Sequence, residues 1–346
     1  MSHIELVLWA GLAIGLVFGA SGQATGFCLH RGLVQRWSAQ GGYKLQAFAL
    51  ALAVALLGTQ SLAALQLVDL SDSLYLTPRY SWLLLPLGGL LFGYGMGLAN
   101  GCGARALVLL GTGNLRSLVV LLCLGIAAYV TLTGVIGPVR IALADVTTVS
   151  PTWLSVPAGW AAQGVAALAA AALAFYALRR PTASDEPALE KARARDLVGG
   201  VIVGLLVVAG WLVTGWLGND DFEPMQVASL TFVAPIGDLI QYAMLATGMN
   251  LRFGIAVVVG VILGAFLTAS ARGEVRLQGF ETPQQMLRYI AGGAYMGAGG
   301  ALALGCSIGQ GLTGLSTLSF SSMLSALAIV LGARLAWATA RKEQVA

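Results

Sequence analysis

Cysteines in glycine-rich surroundings are the residues of this chain whose type and spacing suggest chemistry. Cys102 lies between Gly101 and Gly103, and Cys306 lies between Gly305 and Ser307. A weaker copy near the start of the chain keeps the same glycine spacing in front of Cys28. A constant shift aligns Gly88, Gly89, Gly93, Gly101 and Cys102 with Gly292, Gly293, Gly297, Gly305 and Cys306.

These glycines predict helices that break beside a thiol. A break inside a membrane leaves backbone groups unpaired, which is tolerated only within protein or beside a water-filled cavity. The helix that resumes presents unpaired N–H groups and the positive end of its dipole, which together favour an anion. Small Gly103 and Ser307 would leave the sulfur atoms accessible. The alternative is a cysteine that serves only as a small apolar residue, which is the interpretation we prefer for Cys123.

The composition indicates an integral membrane protein. Of 346 residues, 58% are hydrophobic and 10% are charged, and the mean hydropathy is +0.82. A water-soluble domain of this size could not carry so much apolar surface without aggregating. Apolar segments of roughly 20 residues recur, which is long enough to cross a hydrocarbon core about 30 Å thick. Their alanine, leucine and glycine content predicts helices rather than barrel strands.

Basic residues predict the orientation of the crossings, because cytoplasmic loops are enriched in lysine and arginine. We expect about 13 helical segments, about nine of them crossing and the others short or re-entrant, in the inner membrane with a cytoplasmic C-terminus. Three parts are predicted: an N-terminal membrane repeat over 1–180, a hydrophilic cytoplasmic linker over 181–195 and a C-terminal membrane repeat over 196–346.

The two repeats are predicted to run in opposite directions. Arg116 and Arg288 occupy opposite ends of the repeated unit, yet the charge pattern assigns both to the same side of the membrane. Inverted repeats with broken helices are a common transporter plan, which places the substrate site near the midplane where the breaks meet.

Several other polar residues are candidates for the same path. Asp238 lies in an apolar segment, where a carboxylate has either a functional role or a helix-pairing role. Arg105, one turn after the middle cysteine, would either attract an anion or extend towards the interface. Gln310 follows the last cysteine at similar spacing. The remaining candidates are Asn100 and Gln23.

The sequence shows no pattern typical of a cofactor, a metal site or nucleic-acid binding. No CxxC pair accompanies the four cysteines, and His3 and His30 are the two histidines. The net charge of +4 is explained by loops that set membrane topology. No GxxxxGK[ST] loop is present, so ATP coupling would need another subunit.

Three segments resemble the YeeE/YedE family of membrane proteins with a sulfur-transport domain. They are Gly26-Phe27-Cys28, Ala99-Asn100-Gly101-Cys102-Gly103, and Leu304-Gly305-Cys306-Ser307-Ile308-Gly309-Gln310-Gly311. The resemblance implies a transporter, not an enzyme, that takes up thiosulfate. It further implies that Cys28, Cys102 and Cys306 pass the anion through a narrow centre by transient S–H···S contacts.

The resemblance also implies a small cytoplasmic sulfur-carrier protein as partner, in addition to membrane lipid. Gly26 stands where members of the family often have arginine, and Gly-Ala-Arg follows Cys102 where they often have Ala-Thr-Gly. The alternatives are therefore a related sulfur or selenium compound as substrate, a membrane sulfurtransferase that forms a cysteine persulfide, and a channel or exporter for a small anion.

Overall fold

The computed structural model describes residues 3–38, 43–71, 73–77, 79–149, 160–179, 187–218 and 226–345. These parts are mostly helical, and they include the two-residue antiparallel strands β1 (Tyr80–Ser81) and β2 (Thr148–Val149). The helices are α1 (His3–Thr25), α2 (Leu29–Trp37), α3 (Tyr43–Ala64), α4 (Leu84–Leu98), α5 (Gly103–Gly111), α6 (Leu115–Leu132), α7 (Gly137–Thr147), α8 (Trp160–Leu178), α9 (Pro187–Leu212), α10 (Val233–Leu245), α11 (Phe253–Ala271), α12 (Pro283–Leu302) and α13 (Phe320–Val345).

The described structure also contains short helical turns, and the turn over 309–314 follows the break after α12. They are the 3-10 turns Leu74–Leu76 and Ala246–Gly248 and the π-helical turns Val213–Leu217 and Gly309–Gly314.

The all-α membrane fold predicted from composition is confirmed. Among the described residues, seven helical segments are long and apolar enough to cross a membrane. Of the predicted linker, residues 187–195 are helical as the first part of α9, whereas 181–186 lie outside the described residues. The seven segments are His3–Trp37, Tyr43–Ala64, Leu115–Leu132, Ala161–Leu178, Glu190–Leu217, Phe253–Ala271 and Phe320–Arg341.

Local sequence explains several helix starts. The Asn114 side chain accepts a hydrogen bond from the Arg116 N–H and caps α6, and the Thr282 hydroxyl accepts one from Gln285 N–H and caps α12. Such caps pair backbone donors that have no partner within the helix. Pro283 follows Thr282, at a position where its missing N–H costs nothing.

Four stretches of the described chain show the same order of elements, which is a long helix, a break, a short helix or turn and another long helix. The units are α1–α2–α3, α4–α5–α6, α9–α10–α11, and α12 with the 309–314 turn and α13. At each break one residue's carbonyl accepts the N–H four residues later. These residues are Cys28, Cys102, Phe232 and Cys306.

The units pair across the two halves of the chain. Helix α1 packs on α11 and α3 on α9, while α4 packs on α13 and α6 on α12. The first long helix of one unit runs parallel to the last long helix of its partner unit, since Gly15 faces Val257 and Gly19 faces Val261. An inverted repeat would produce this pairing. The repeat itself, and the division into 1–180, 181–195 and 196–346, stay predictions.

The bundle has two ends, which we call the basic face and the opposite face. The opposite face holds Tyr75 and the β1–β2 pair. Helices α8 and α3 pack together beside the paired units. The basic face is the end at which three polar pairs link different segments of the chain. These pairs are Lys44–Asp196 at 3.2 Å, Gln23–Glu274 at 3.0 Å and Arg116–Glu281 at 2.8 Å.

Glycines let the paired helices touch backbone to backbone. A side chain on Gly93 of α4 would overlap the Ile329 carbonyl of α13, and one on Gly19 of α1 would overlap the Val261 carbonyl of α11. Small residues at such contacts are how membrane helices pack closely without a hydrophobic driving force between them.

Replacing Gly93 with alanine should therefore destabilise the protein. The new methyl group meets backbone, which cannot move aside as a side chain can, and overpacking of this kind costs about 1–3 kcal/mol. Thermal unfolding of the purified protein in detergent measures the effect as a lower melting temperature.

Gly164→Ala on α8 is the matched control, because no atom lies within 4 Å of the added methyl group. Alanine is favoured over glycine in a helix by about 1 kcal/mol, so this variant should be as stable as the wild type or slightly more so. Equal melting temperatures for the two variants would contradict the prediction.

Candidate functional site

Three buried cysteines come together where the broken helices meet. Cys28, Cys102 and Cys306 are each 2% exposed, and all are unpaired thiols. The Cys28 thiol lies beside the Cys102 thiol, and the Ser307 hydroxyl also lies beside Cys102. The structure thus places the predicted residues 28, 102 and 306–307 in one cluster. Cys123 lies apart from it on α6, packed against Gly293 of α12.

The backbone reverses two residues before each of these cysteines. Gly26, Asn100 and Leu304 have positive φ angles of +64°, +55° and +55°. Glycine adopts this left-handed conformation readily and asparagine tolerates it, whereas leucine pays roughly 1–2 kcal/mol, so packing must hold Leu304 in place. In the second and third breaks the reversing residue therefore precedes the glycines that the sequence pattern emphasised.

Gly101, Gly103 and Gly305 have a different role, which is to leave space. A Cβ on Gly101 would lie 3.3 Å from Arg105 Cγ, and one on Gly305 would lie 3.1 Å from Gln310 Cγ. These glycines admit the side chains that follow one turn later. Gly103 lies under Leu124 and Ile236, at 3.2 and 3.4 Å from the position its Cβ would take.

Backbone groups released by the third break are paired within the protein. Gly309 N–H donates a hydrogen bond to Cys306 Sγ at 3.2 Å, so the start of the 309–314 turn points a donor at the sulfur atom. Gln310 Nε2 donates to the Ala303 carbonyl at 2.6 Å, and its Oε1 is buried without a hydrogen-bond partner among the described residues. Gln310 therefore supports the break directly.

Arg105 and Asn100 lie on the basic-face side of the cysteines. Arg105 Nη1 approaches the Gly22 carbonyl at 3.5 Å, and its guanidinium is close enough to the Cys28 and Cys102 thiols to interact electrostatically with both. Asn100 lines a cavity of about 1090 Å³ whose other walls include His30. Gln23 is not on this wall and instead hydrogen-bonds Glu274.

Asp238 lies on the opposite-face side. Its carboxylate is buried, accepts a hydrogen bond from the Tyr129 hydroxyl, and lines a second cavity of about 490 Å³ that also holds Arg252. The inner wall of this cavity includes Tyr75 and Thr231. Asp238 is therefore not part of the thiol cluster, but it lines a cavity that extends towards the cluster.

The second cavity ends at the Cys306 break. A Cβ on Gly309 would lie 2.7 Å from Thr231 Oγ1 and 3.1 Å from the Tyr75 hydroxyl, and Gly309 is the residue that donates to the Cys306 sulfur. One cavity thus approaches the cysteines from each face. The three thiols and Ser307, which lies beside Cys102, are buried and line neither cavity.

Sequence reasoning missed several residues of this arrangement. Tyr75 and Thr231 lie in segments without a motif, and Phe232 begins a short helix without a cysteine to mark it. Lys44 and Asp196 are charged residues at the ends of apolar segments. That position indicates membrane topology but does not indicate that the two side chains pair. Within the described ranges, no three His, Cys, Asp or Glu side chains are grouped as a metal ion would require.

Comparison with known proteins identifies relatives over most of the chain. A family model described as sulphur transport matches residues 24–335. A thiosulfate transporter named TsuA from Spirochaeta thermophila is 27% identical over 349 residues, covering 94% of this chain and 97% of the relative. The thiosulfate transporter TsuA of Escherichia coli is 24% identical over 341 residues, covering 94% of this chain and 92% of the relative.

Replacing Gln310 with alanine should destabilise the protein even when no anion is present. The change leaves the Ala303 carbonyl, freed by the helix break, without its 2.6 Å hydrogen bond. A buried polar group that loses its partner costs about 1–3 kcal/mol. The measurement is thermal unfolding in detergent, in a buffer free of sulfur oxyanions.

Gln284→Ala serves as control, since Gln284 is an exposed residue in the first turn of α12. Its replacement should leave the melting temperature unchanged. If Gln310→Ala unfolds at the wild-type temperature, this hydrogen bond does not hold the break.

Proposed function

Because the chain belongs to the sulphur-transport family of membrane proteins, we propose that it takes up thiosulfate across the bacterial cell membrane. The observation that carries the proposal is the row of buried thiols between two cavities, one opening from each face. Two relatives named as thiosulfate transporters support the choice of substrate.

The proposed path begins in the opposite-face cavity. Arg252 provides a positive charge there in addition to the Asp238 carboxylate, and Tyr75 and Thr231 supply hydroxyl groups beside the Cys306 break. A dianion that leaves water must regain hydrogen bonds, because burying an unpaired charge is very costly. The hydroxyl groups of Tyr75 and Thr231 offer such hydrogen bonds without adding a full positive charge that would trap the anion.

Thiols suit the narrow part of the path. Each S–H is a weak donor and each sulfur a weak acceptor, so the terminal sulfur of thiosulfate exchanges one thiol for the next at little cost. Conduction needs sites that bind strongly enough for the substrate to enter and weakly enough for it to leave. The proposed order is Cys306, then Cys102 with Ser307 beside it, then Cys28. No covalent bond persists.

Direction follows from the basic face. Arginine and lysine residues concentrate there, so the positive-inside rule assigns this face and the C-terminal end of α13 to the cytoplasm. A small sulfur-carrier protein would then receive thiosulfate at the cavity of the basic face, whose rim includes Arg288, Trp337 and Arg341. Apolar side chains such as Leu168 and Leu327, which are 75% and 60% exposed, would contact membrane lipid.

Removing single thiols tests the relay. We expect Cys28→Ala, Cys102→Ala and Cys306→Ala each to lower uptake of labelled thiosulfate into liposomes at least tenfold, because each leaves a gap in the row of weak donors. Cys123→Ala is the matched control, since Cys123 lies outside the cluster, and it should transport at the wild-type rate. Normal uptake by properly inserted Cys102→Ala or Cys306→Ala protein would refute the relay.

Mass spectrometry separates the transporter from a sulfurtransferase. After exposure of the purified protein to thiosulfate, we expect Cys28, Cys102 and Cys306 to carry no additional sulfur atom, because transfer by hydrogen bonds forms no covalent intermediate. A stable persulfide on one of them, absent from its alanine variant, would support the enzyme instead.

A further inference from the structure

Three basic side chains surround Gly26 at the basic face, two residues before Cys28. The position that a Cβ on residue 26 would take lies 3.0 Å from Arg31 Nη1, 3.5 Å from Lys44 Nζ and 3.8 Å from Arg105 Nη1. These side chains come from α2, α3 and α5, which are distant in the sequence. Their packing therefore directs three positive charges at one point.

Among the described residues, an ion pair with a carboxylate is seen for one of the three positive charges around Gly26. Lys44 Nζ hydrogen-bonds Asp196 Oδ2 at 3.2 Å and the Thr25 carbonyl at 2.8 Å, so one positive charge is paired. Arg31 and Arg105 add two more, and both lie close enough to Lys44 to act on it electrostatically. Like charges at short range repel, and a bound anion would remove the repulsion.

The Glu274 carboxylate is not counted among the charges around Gly26, because it is hydrogen-bonded to another side chain. Its carboxylate accepts a hydrogen bond from Gln23 Nε2 at 3.0 Å and lies in the exposed segment that follows α11. The group formed by Arg31, Lys44, Arg105 and Asp196 thus carries a formal charge of two positive units.

Gly26 keeps the space between these cations open. Its φ of +64° is in the left-handed region, which glycine adopts without a steric penalty. A larger side chain would both strain the backbone and fill the space that the three nitrogen atoms enclose. The glycine thus combines the turn that precedes Cys28 with a bare backbone surface.

We propose that Arg31, Lys44 and Arg105 bind a divalent tetrahedral oxyanion beside Cys28. Guanidinium groups present planar pairs of donors that match the oxygen atoms of such an anion, and the ammonium group adds a compact charge.

On the proposed function, the ligand is the sulfonate end of thiosulfate as it leaves the cysteines. Its terminal sulfur then faces Cys28, since Arg105 lies close to the Cys28 and Cys102 thiols. The assignment to thiosulfate rests on that proposed function, whereas the anion site itself does not.

Sulfate is the probe that tests the site independently of transport, because it has the charge and oxygen atoms of thiosulfate without the terminal sulfur. The full-length protein in detergent is titrated with sodium sulfate, with sodium chloride at equal ionic strength as reference, and its melting temperature is followed. We expect a saturable rise with sulfate for the wild-type protein.

Removing one guanidinium should weaken sulfate binding about tenfold or more, the loss typical of one charge-assisted hydrogen bond. The variants are Arg31→Gln and Arg105→Gln. Arg31 is exposed, so its replacement leaves folding intact. Arg105→Lys keeps the charge and should retain more affinity than Arg105→Gln. Lys44 is left unchanged, because its loss would leave the buried Asp196 carboxylate unpaired.

Arg36→Gln is the matched control, since Arg36 is an exposed arginine on the same helix as Arg31. It should bind sulfate like the wild type. The proposal is overturned if sulfate gives no saturable rise beyond chloride, if Arg31→Gln and Arg105→Gln bind like the wild type, or if Arg36→Gln weakens binding equally.

Uptake of labelled thiosulfate distinguishes failure of this site from failure of the proposed function. We expect Arg31→Gln and Arg105→Gln to change the KM for thiosulfate while Arg36→Gln does not. Uptake with an unchanged KM in both variants would overturn the proposed anion site but would remain consistent with thiosulfate transport. Arginine-dependent sulfate binding by a wild-type protein that takes up no thiosulfate supports the site and overturns the transporter.

Discussion

A broken helix inside a membrane must be surrounded by protein or border a water-filled cavity, because its unpaired backbone groups cannot form hydrogen bonds with lipid. In three of the four units the short helix or turn packs against a long helix of another unit. Helix α5 contacts α11, α10 contacts α6, and the 309–314 turn contacts α3. At the third break Gln310 and Gly309 pair the remaining groups, the first with the Ala303 carbonyl and the second with the Cys306 sulfur. The breaks enclose one another, so their convergence at the centre is a condition of the fold.

Glycine makes that enclosure possible. Where Gly15 and Gly19 meet α11, and Gly93 meets α13, the backbones are in contact, so the long helices leave the centre narrow. The glycines near the cysteines act differently, because Gly101 and Gly305 make room for Arg105 and Gln310. The same residue type thus closes the helix pairs and opens the site. A cysteine can occupy the narrow centre because it is small and its thiol is only weakly polar.

The distribution of charge complements this narrow centre. The thiol cluster contains no permanently charged group, whereas Arg252 lies in the cavity on one side and Arg31, Lys44 and Arg105 lie on the other. On the proposed function, an anion would be attracted by the arginine and lysine side chains and held only weakly at the thiols. A charged side chain buried at the centre would need a partner of opposite charge, and that partner would also block the proposed path.

The membrane environment, the helical class and the helix breaks at Cys28, Cys102 and Cys306 could be predicted from the sequence, because hydropathy and glycine spacing act through neighbouring residues. The packed structure was needed to show which breaks touch, that a fourth break begins at Phe232 without a cysteine, and that Asp238 pairs with Tyr129 away from the thiols. It also decided that Asn100 and Leu304 reverse the backbone where the pattern emphasised glycine. These features depend on contacts between residues far apart in the chain, such as Lys44 with Asp196, and no local pattern encodes which distant helices will pack together.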